Sequence, residues 1–594
     1  MATKFGFKQQ ASRKQSFKQH FKVCFCFNRM FKLKVAEPPE EINNIFYRYT
    51  QNGTMNIDEL YNFLVHFQGE ESDDATLRHA QAVFHSLRHL NIFQRRGLHF
   101  DAFFRYLFGD LNGPLNDQVH QDMNAPLAHY FLYTGHNSYL TGNQLSSESS
   151  TAPIIKALKK GVRVIELDLW PNSREDDVEV RHGGCRTLTS SVKLRDCLNA
   201  IRDNAFEASK YPVIITFEDH ITPPLQRKVA KMVDDIFGGM LFRPSYSHQM
   251  KNFPSPESLK EKILISTKPP ESPEIQGQRI PAEEVEWLED KDDKSRVNEK
   301  VLYINRVAQN LRTYWDGPDD ESEEDETLGY RNLISIHAGK PKGNVEHWLM
   351  EHDQVRRLSL SEQVLEEIAK TRGTDIVRFT QRNLLRIYPK GSRVDSSNYD
   401  PMNGWMHGAQ MVAFNMQGHG HYLWYMEGMF KANGGCGYVK KPDFLLNNNK
   451  IYDPKINNRS ILKTLQVVVY MGEGWQSEFG QTHFDFYSPP DFRVQVGIHG
   501  VPVDTDTKIT RTIEDEWVPI WNEELIFPLT CPELAILHIK VIERDFSGQH
   551  DFAGQTCLPV SELKEGIRAV RLCDRKGEPY KYVRLLIQFR FSNH

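Results

Sequence analysis

The rhythm of hydrophobic and polar positions changes three times along the chain. Between residues 40 and 110, apolar side chains recur at three- and four-residue spacings. That period predicts amphipathic helices at Glu40–Tyr49, Asp58–Phe67 and Ala75–Leu87. From about residue 126, short apolar runs alternate with helical patterns. Strands are expected at His129–Tyr133, Val162–Trp170, Val178–His182, Val213–Glu218, Ile263–Ser266, Leu333–His337, Leu384–Tyr388 and Met411–Phe414. Helices fit Ala152–Lys160, Leu194–Asn204, Leu225–Phe237 and Leu360–Lys370. Eight strands alternating with helices predict a parallel α/β architecture, and a barrel fits that count. Beyond residue 460, runs such as Leu465–Tyr470, Arg493–Ile498, Leu525–Leu529, Ala535–Ile542 and Val583–Phe589 predict a separate β-sandwich.

Composition narrows this picture. A chain of 594 residues is too long for one hydrophobic core and implies three or four domains. Mean hydropathy is −0.55, and no apolar stretch approaches 18 residues, so a transmembrane helix is not expected. Eight cysteines without metal-ligand spacing exclude a disulfide scaffold and suggest a reducing, intracellular compartment.

The net charge of −5 conceals a polarised chain. Residues 1–36 carry nine basic side chains and no acid, interleaved with Phe17, Phe21, Phe25, Phe27 and Phe31 around Cys24 and Cys26. This basic arm suits either an anionic membrane surface, with the cysteines as acylation candidates, or plain solvation. Residues 271–328 hold 18 acids and 7 bases, which predicts a disordered acidic linker inside the α/β region.

Within the helical lobe at 37–115, Thr50–Glu59 resembles an EF-hand loop aligned through Ile57. Thr50, Asn52 and Thr54 stand where carboxylates belong, Met55 where the turn needs glycine, and Tyr61 where the bidentate glutamate belongs. So few anionic ligands could hardly hold Ca²⁺, and a structural EF-hand-like lobe is expected.

Chemistry concentrates at the ends of the early strands. His136-Asn137 follows the first, Glu166 and Asp168 lie two apart on the second, His182 ends the third and Glu218 the fourth. Residues two apart on a strand share a face, and the carboxyl ends of barrel strands are where active sites assemble. Three carboxylates, an amide and free histidines form an oxygen-rich set suited to Ca²⁺ or Mg²⁺ rather than zinc.

Several segments closely resemble the eukaryotic phosphoinositide-specific phospholipases C, in particular their plant branch. They are Thr134-Gly135-His136-Asn137-Ser138-Tyr139-Leu140, Glu166-Leu167-Asp168-Leu169-Trp170, Tyr211–His220, Arg386-Ile387-Tyr388-Pro389-Lys390-Gly391, Asp395–Tyr399 and Asn433–Tyr438. The resemblance implies a multidomain α/β plus all-β protein. Residues 126–270 and 329–445 would be the X and Y halves of one split, distorted (β/α)8 TIM-like barrel, and residues 460–594 a C2 domain. It implies that Asn137, Glu166, Asp168 and Glu218 bind one catalytic Ca²⁺. His136 would stabilise a phosphorane-like transition state, and His182 would protonate the departing diacylglycerol oxygen. Glu166 or Glu218 would take the proton of the attacking inositol hydroxyl. Lys268, Ser359 and Arg386 would bind ring phosphates, and Tyr388 would pack on the inositol ring. In the C2 domain, Glu543, Asp545 and Asp551, with Asp485 and Asp491 from a facing loop, are the Ca²⁺ candidates.

Two departures from the family pattern stand out. Ser266-Thr267-Lys268 replaces a Lys-x-Lys, and His182-Gly183-Gly184-Cys185-Arg186-Thr187-Leu188 carries a short insertion. The expected partners are phosphoinositide lipids and the anionic cytosolic leaflet of the plasma membrane. Nucleic acid is not expected, and the sequence names no protein activator. Two other readings stay open: a catalytically weak membrane adaptor, and a phosphodiesterase for soluble glycerophosphodiesters.

Overall fold

The computed structural model describes all residues except 1–15, 25–26, 35–37, 88–96, 185–186, 245–249, 271–328, 340–347, 350–353, 457–459, 481–482, 485–487 and 545–549; for 16–24 and 27–34 it describes the backbone alone. The acidic linker, Cys26, Asp485 and Asp545 therefore lie outside the described residues, as do the side chains of the rest of the basic arm. In that arm the backbone at Ser16–Cys24 pairs antiparallel with Phe27–Lys34, a ladder the charge pattern did not suggest.

Eight parallel strands close into a barrel. We number them β1 (Thr134–Gly135), β2 (Val164–Pro171), β3 (Val213–Asp219), β4 (Ile263–Thr267), β5 (Ile334–Gly339), β6 (Arg357–Ser361), β7 (Leu384–Tyr388) and β8 (Met411–Phe414). Pairing runs in that order, and β8 and β2 both pair with β1 to close the ring. The side-chain alternation of each strand is legible in its packing. Ile165, Leu167, Ile215, Phe217, Leu385 and Ile387 face the surrounding helices in one cluster. Val164, Ile214, Leu264, Ile336, Leu384 and Met411 point inward and form an apolar plug at the amino ends. Two residues further on, inward positions become polar: Glu166, Thr216, Ser266 and Arg386. The plug seals the bottom, so ligands must enter at the carboxyl ends.

Eight strands were expected and eight are found, but they are not the same eight. The expected first strand, His129–Tyr133, is not in the barrel: Tyr130–Leu132 pairs antiparallel with Tyr438–Lys440, and β1 begins just beyond it at Thr134. Val178–Val180 is not a barrel strand; it pairs antiparallel with β2 as an outer hairpin. Its place is taken by β6, which the hydrophobic pattern missed. The sequence Arg-Leu-Ser-Leu-Ser has only two apolar residues, both facing the helices, because its inward positions line the pocket. The expected Leu360–Lys370 helix starts at Glu362, where the Ser361 hydroxyl accepts from Val364 N, and runs to Thr380.

The helices at Glu40–Tyr49, Ile57–His66, Asp74–Ser86 and Phe100–Leu107 form the amino-terminal lobe. Their shared core continues into Val468, Tyr470, Ile567 and Leu586, so the lobe packs on the carboxyl-terminal domain. That domain is an antiparallel sheet of eight strands, hinged where residues 550–559 and 566–573 meet through the single pair Gln555–Cys573. The hinge folds it into two layers around Val467, Val469, Val494, Trp521, Phe527, Ile539 and Val583. The helix His421–Met429 joins it to the barrel, with Tyr425 stacked on His499 at 4.1 Å. Gly428 permits this approach, since a Cβ there would lie 2.6 Å from Cys557 Cβ.

Candidate active site

The site forms where β1, β2, β3, β7 and β8 end. After β1 the chain turns sharply through His136, whose N–H donates to the Phe414 carbonyl at 2.7 Å, and through Asn137 with φ +44°. Asparagine tolerates this left-handed geometry better than most residues. Gly135 is required beside it, because a Cβ would lie 2.3 Å from Ser138 Oγ. On β2, Glu166 and Asp168 face inward, and register sets Asp168 beside Glu218 on β3. Oxygens of Glu166, Asp168 and Glu218 all lie within 4.8 Å of one another, the one such acidic group found among the described residues.

Two histidines flank the carboxylates. His182, returning from the outer hairpin, places Nδ1 3.3 Å from Asp168 Oδ2 and 3.0 Å from Asn137 Nδ2. Its carbonyl accepts from Thr187 Oγ1 at 2.5 Å and Thr189 Oγ1 at 3.0 Å, which ties the returning chain to it. His136 Nδ1 lies 2.9 Å from Asn415 Oδ1. Asn415 is oriented by its own Nδ2, which donates to the Ser397 carbonyl, so its oxygen faces His136. His136 therefore carries its proton on Nδ1, and Nε2, 4.0 Å from Glu166 Oε2, faces the pocket. Gln144 completes the support, donating to Asn415 Oδ1 at 3.1 Å and accepting from Asn137 Nδ2 at 3.0 Å.

Electrostatics separate the roles. Burial drives the Asp168 carboxyl up, and the neighbouring Glu218 and Glu166 charges add to the rise. The hydrogen bond from His220, together with the charge of that ring, holds Glu218 low. Burial depresses His136. Burial also opposes charge on His182, but the Asp168 hydrogen bond and surrounding carboxylates outweigh it and raise its pKa. Asp168 Oδ1 is buried without a hydrogen-bond partner among the described residues. A carboxylate oxygen in that state, inside a three-carboxylate cluster, fits a hard divalent cation.

Comparisons with known proteins agree with this geometry. Residues 123–269 match the model of the phosphatidylinositol-specific phospholipase C X domain, 334–444 its Y domain, and 463–573 the C2 domain. Phosphoinositide phospholipase C 1 of Arabidopsis thaliana is 55% identical over 581 residues, 96% of this chain and 99% of the relative. The chain belongs to the phosphoinositide-specific phospholipase C family. Human 1-phosphatidylinositol 4,5-bisphosphate phosphodiesterase delta-1 is 32% identical over 570 residues, 93% of this phospholipase and 72% of the human protein. The crystal structure of S. officinalis PLC21 shares the fold at TM-score 0.71 and 24% identity, over 94% of this chain and 69% of that one.

The remaining expected residues of this phospholipase C fall in two places. Arg386 on β7 is 6% exposed, its Nη2 2.5 Å from Glu166 Oε1 and its guanidinium 5.5 Å from the Tyr388 ring centre. Ser359 pairs in register with Arg386, Ser361 with Tyr388, and exposed Lys268 directly follows β4. Ser266 is fully buried and donates to the Ile336 carbonyl, so it brings no charge to the pocket. In the C2 domain, buried Glu543 pairs in register with Phe492 on one side and exposed Asp551 on the other. Buried Asp491 accepts from the Asp515 N–H at 2.8 Å. These three lie at one end of the sandwich. Sequence reasoning missed Asn415, Gln144 and Arg357. Asn415 carried a usable signal, since it directly follows the last barrel strand.

Proposed function

We propose that this phospholipase hydrolyses phosphatidylinositol 4,5-bisphosphate, or a related phosphoinositide, to inositol trisphosphate and diacylglycerol in a Ca²⁺-dependent reaction. The observation that carries the reading is the convergence of Glu166, Asp168 and Glu218 between two histidines of opposite titration. Asn137, Glu166, Asp168 and Glu218 would hold Ca²⁺, which when bound supplies positive charge next to nucleophile and phosphate. Glu166 or Glu218 removes the proton of the inositol 2-hydroxyl as its oxygen attacks phosphorus. His182 gives its proton to the diacylglycerol oxygen as that P–O bond breaks, leaving a cyclic phosphodiester. His182 then takes a proton from water, whose oxygen attacks phosphorus and opens the ring. The raised pKa of His182 favours its protonated form for the first step. His136 Nε2, protonated on arrival of the anionic phosphate, donates to the developing phosphorane oxygen. Ser359, Arg386 and Lys268 take the ring phosphates, and Tyr388 packs on the ring.

Membrane docking is read from the rim. Leu188 is 87% exposed, Leu145 48% and Val394 40%. Backbone bonds join their loops, Leu188 N to Leu145 O at 2.7 Å and Gln144 N to Val394 O at 2.8 Å. An exposed apolar rim around a polar mouth suits insertion into a lipid surface. We place the enzyme peripherally on the cytosolic face of the plasma membrane, assisted by Ca²⁺ at Asp491, Glu543 and Asp551 of the C2 domain together with Asp485 and Asp545. Among the described residues no helix is long and apolar enough to cross a membrane. The deciding assay uses phosphatidylinositol 4,5-bisphosphate vesicles at fixed free Ca²⁺. Wild type should release inositol phosphate and His136→Ala should not. Equal, negligible release by both would favour the adaptor, and turnover of soluble glycerophosphodiesters without lipid would favour the third reading.

A further inference from the structure

β6, the strand that hydrophobic periodicity missed, carries a second buried arginine. Leu358 and Leu360 face the helices, so Arg357, Ser359 and Ser361 face the barrel interior. Arg357 is 7% exposed, as deep as Arg386 at 6%. The register pairs Arg357 with Leu384 and Ser359 with Arg386 on the adjacent strand, so Arg357 sits one inward position below Ser359. Glu166 and Glu218 are among the charges it feels, together with the like charge of Arg386.

Its partners do not account for it. Arg357 Nε and Nη1 are buried with no hydrogen-bond acceptor among the described residues, and Arg386 Nε is in the same state. Glu166, the carboxylate whose charge acts on it most, is engaged by Arg386. Two guanidiniums side by side in a closed barrel, each with unmet N–H donors, are costly unless an anion joins them. A purely structural arginine would be expected to look like Arg163. That guanidinium is fully buried and donates to the carbonyls of Leu158, Gly161, Ala205 and Ser209.

We propose that Arg357 is a second phosphate-binding guanidinium of the substrate pocket, holding anionic oxygen of the inositol-ring phosphates together with Arg386 and below Ser359. Planar N–H donors on adjacent strands offer the fork geometry that a phosphate dianion accepts. The assignment rests on the phosphoinositide reading above and adds to it a residue that grades substrates by ring phosphorylation.

The test uses the full chain with Arg357→Met and Arg357→Lys. Kinetics are measured on vesicles of phosphatidylinositol, its 4-phosphate and its 4,5-bisphosphate at one Ca²⁺ concentration. Melting is followed with and without soluble inositol 1,4,5-trisphosphate. Arg357→Met should raise KM for the bisphosphate about ten- to hundred-fold, the worth of a charge-assisted hydrogen bond. Unphosphorylated phosphatidylinositol should change little. The melting shift induced by inositol trisphosphate should shrink, while the unliganded protein should melt no lower than wild type. Arg357→Lys should recover part of the ligand-induced shift. Equal losses on all three lipids, or a lower unliganded melting point with the ligand shift intact, would make Arg357 a counter-charge for Glu166 and Glu218 and overturn the proposal. If wild type hydrolyses none of the lipids, the functional reading fails. The ligand-induced shift then decides the binding role of Arg357 independently.

Discussion

Arg568 is the pin between the amino-terminal helical lobe and the C2 domain. It is 1% exposed and donates through Nε to the Glu565 carbonyl at 2.7 Å, through Nη2 to the Gln68 carbonyl at 2.7 Å and through Nη1 to Glu70 at 2.9 Å. Gln68 also crosses the junction, donating to the Ile567 carbonyl and accepting from the Ile567 N–H, both at 2.7 Å. Arg568→Met would keep the bulk but strand the Gln68 carbonyl and remove one cation from Glu70. Removing one partner of a buried ion pair costs about 3–5 kcal/mol. Glu70 keeps Lys564 at 2.9 Å, so the lower end, about 3 kcal/mol, is expected. Hydrogen exchange of the amides in residues 40–107 reads this directly. Three kilocalories correspond to exchange faster by about 10²-fold across the lobe. Gly566→Ala offers an independent wedge, since Gly566 has φ +88° and a Cβ there would lie 2.3 Å from Gln68 Oε1. The pH sign is also set. Glu70 is lowered despite burial because Arg568 and Lys564 oppose it, so its contribution is present above its ordinary pKa and fades as pH falls below it. If both variants exchange at the wild-type rate throughout the lobe, the pin is not what holds the junction.

Asp168→Asn should cut hydrolysis by about 10²- to 10³-fold, measured as inositol phosphate release, and chelating Ca²⁺ from wild type should abolish it. Because the proposed mechanism needs His182 protonated for the first step and its pKa is raised, kcat should fall as pH rises through that raised value. The alkaline limb should vanish from the pH–rate profile of the residual activity of His182→Gln; its survival there would assign the limb to another group. Serine at Leu145, Leu188 and Val394 together should slow turnover on vesicles by at least about tenfold, given about 1.5–3 kcal/mol per apolar side chain removed from water. Hydrolysis of a monomeric short-chain substrate should be spared, and equal loss on both would refute membrane insertion. His538, at the barrel–C2 contact beside Trp424, is pushed down to about 3 by burial and then by Lys540, His421 and His499. It stays neutral when folded. Acidification below about 6.5 should therefore destabilise the contact by at most about 1.4 kcal/mol per pH unit, and calorimetry of His538→Gln should show a flatter pH dependence.

Much of the site could be read before any fold was known. Glu166 and Asp168 share a face because strand alternation has a period of two, and their apolar neighbours Ile165 and Leu167 announce which side meets the helices. The place of Asn415 just after the last strand was legible, but its pairing with His136 was not, because the two are 279 residues apart and meet only when β8 closes against β1, where Gln144 also donates to Asn415. The lobe's seat on the C2 domain was equally hidden, since the contact between Gln68 and Ile567 spans 499 residues.

Local rules, period, caps and strand-end chemistry were enough to establish the architecture and the carboxylate–histidine set. They act between near neighbours and are written into consecutive residues. What only the closed barrel decided was which polar strand completes it. Val178–Val180 reads as a strand because it is apolar, yet it lies outside. Arg357–Ser361 is too polar to read as a strand, yet it lies inside, where Ser359 and Ser361 stand above the level of the plug. An inward polar residue is favoured only where the opposite wall supplies a partner or a ligand, and that depends on ring closure.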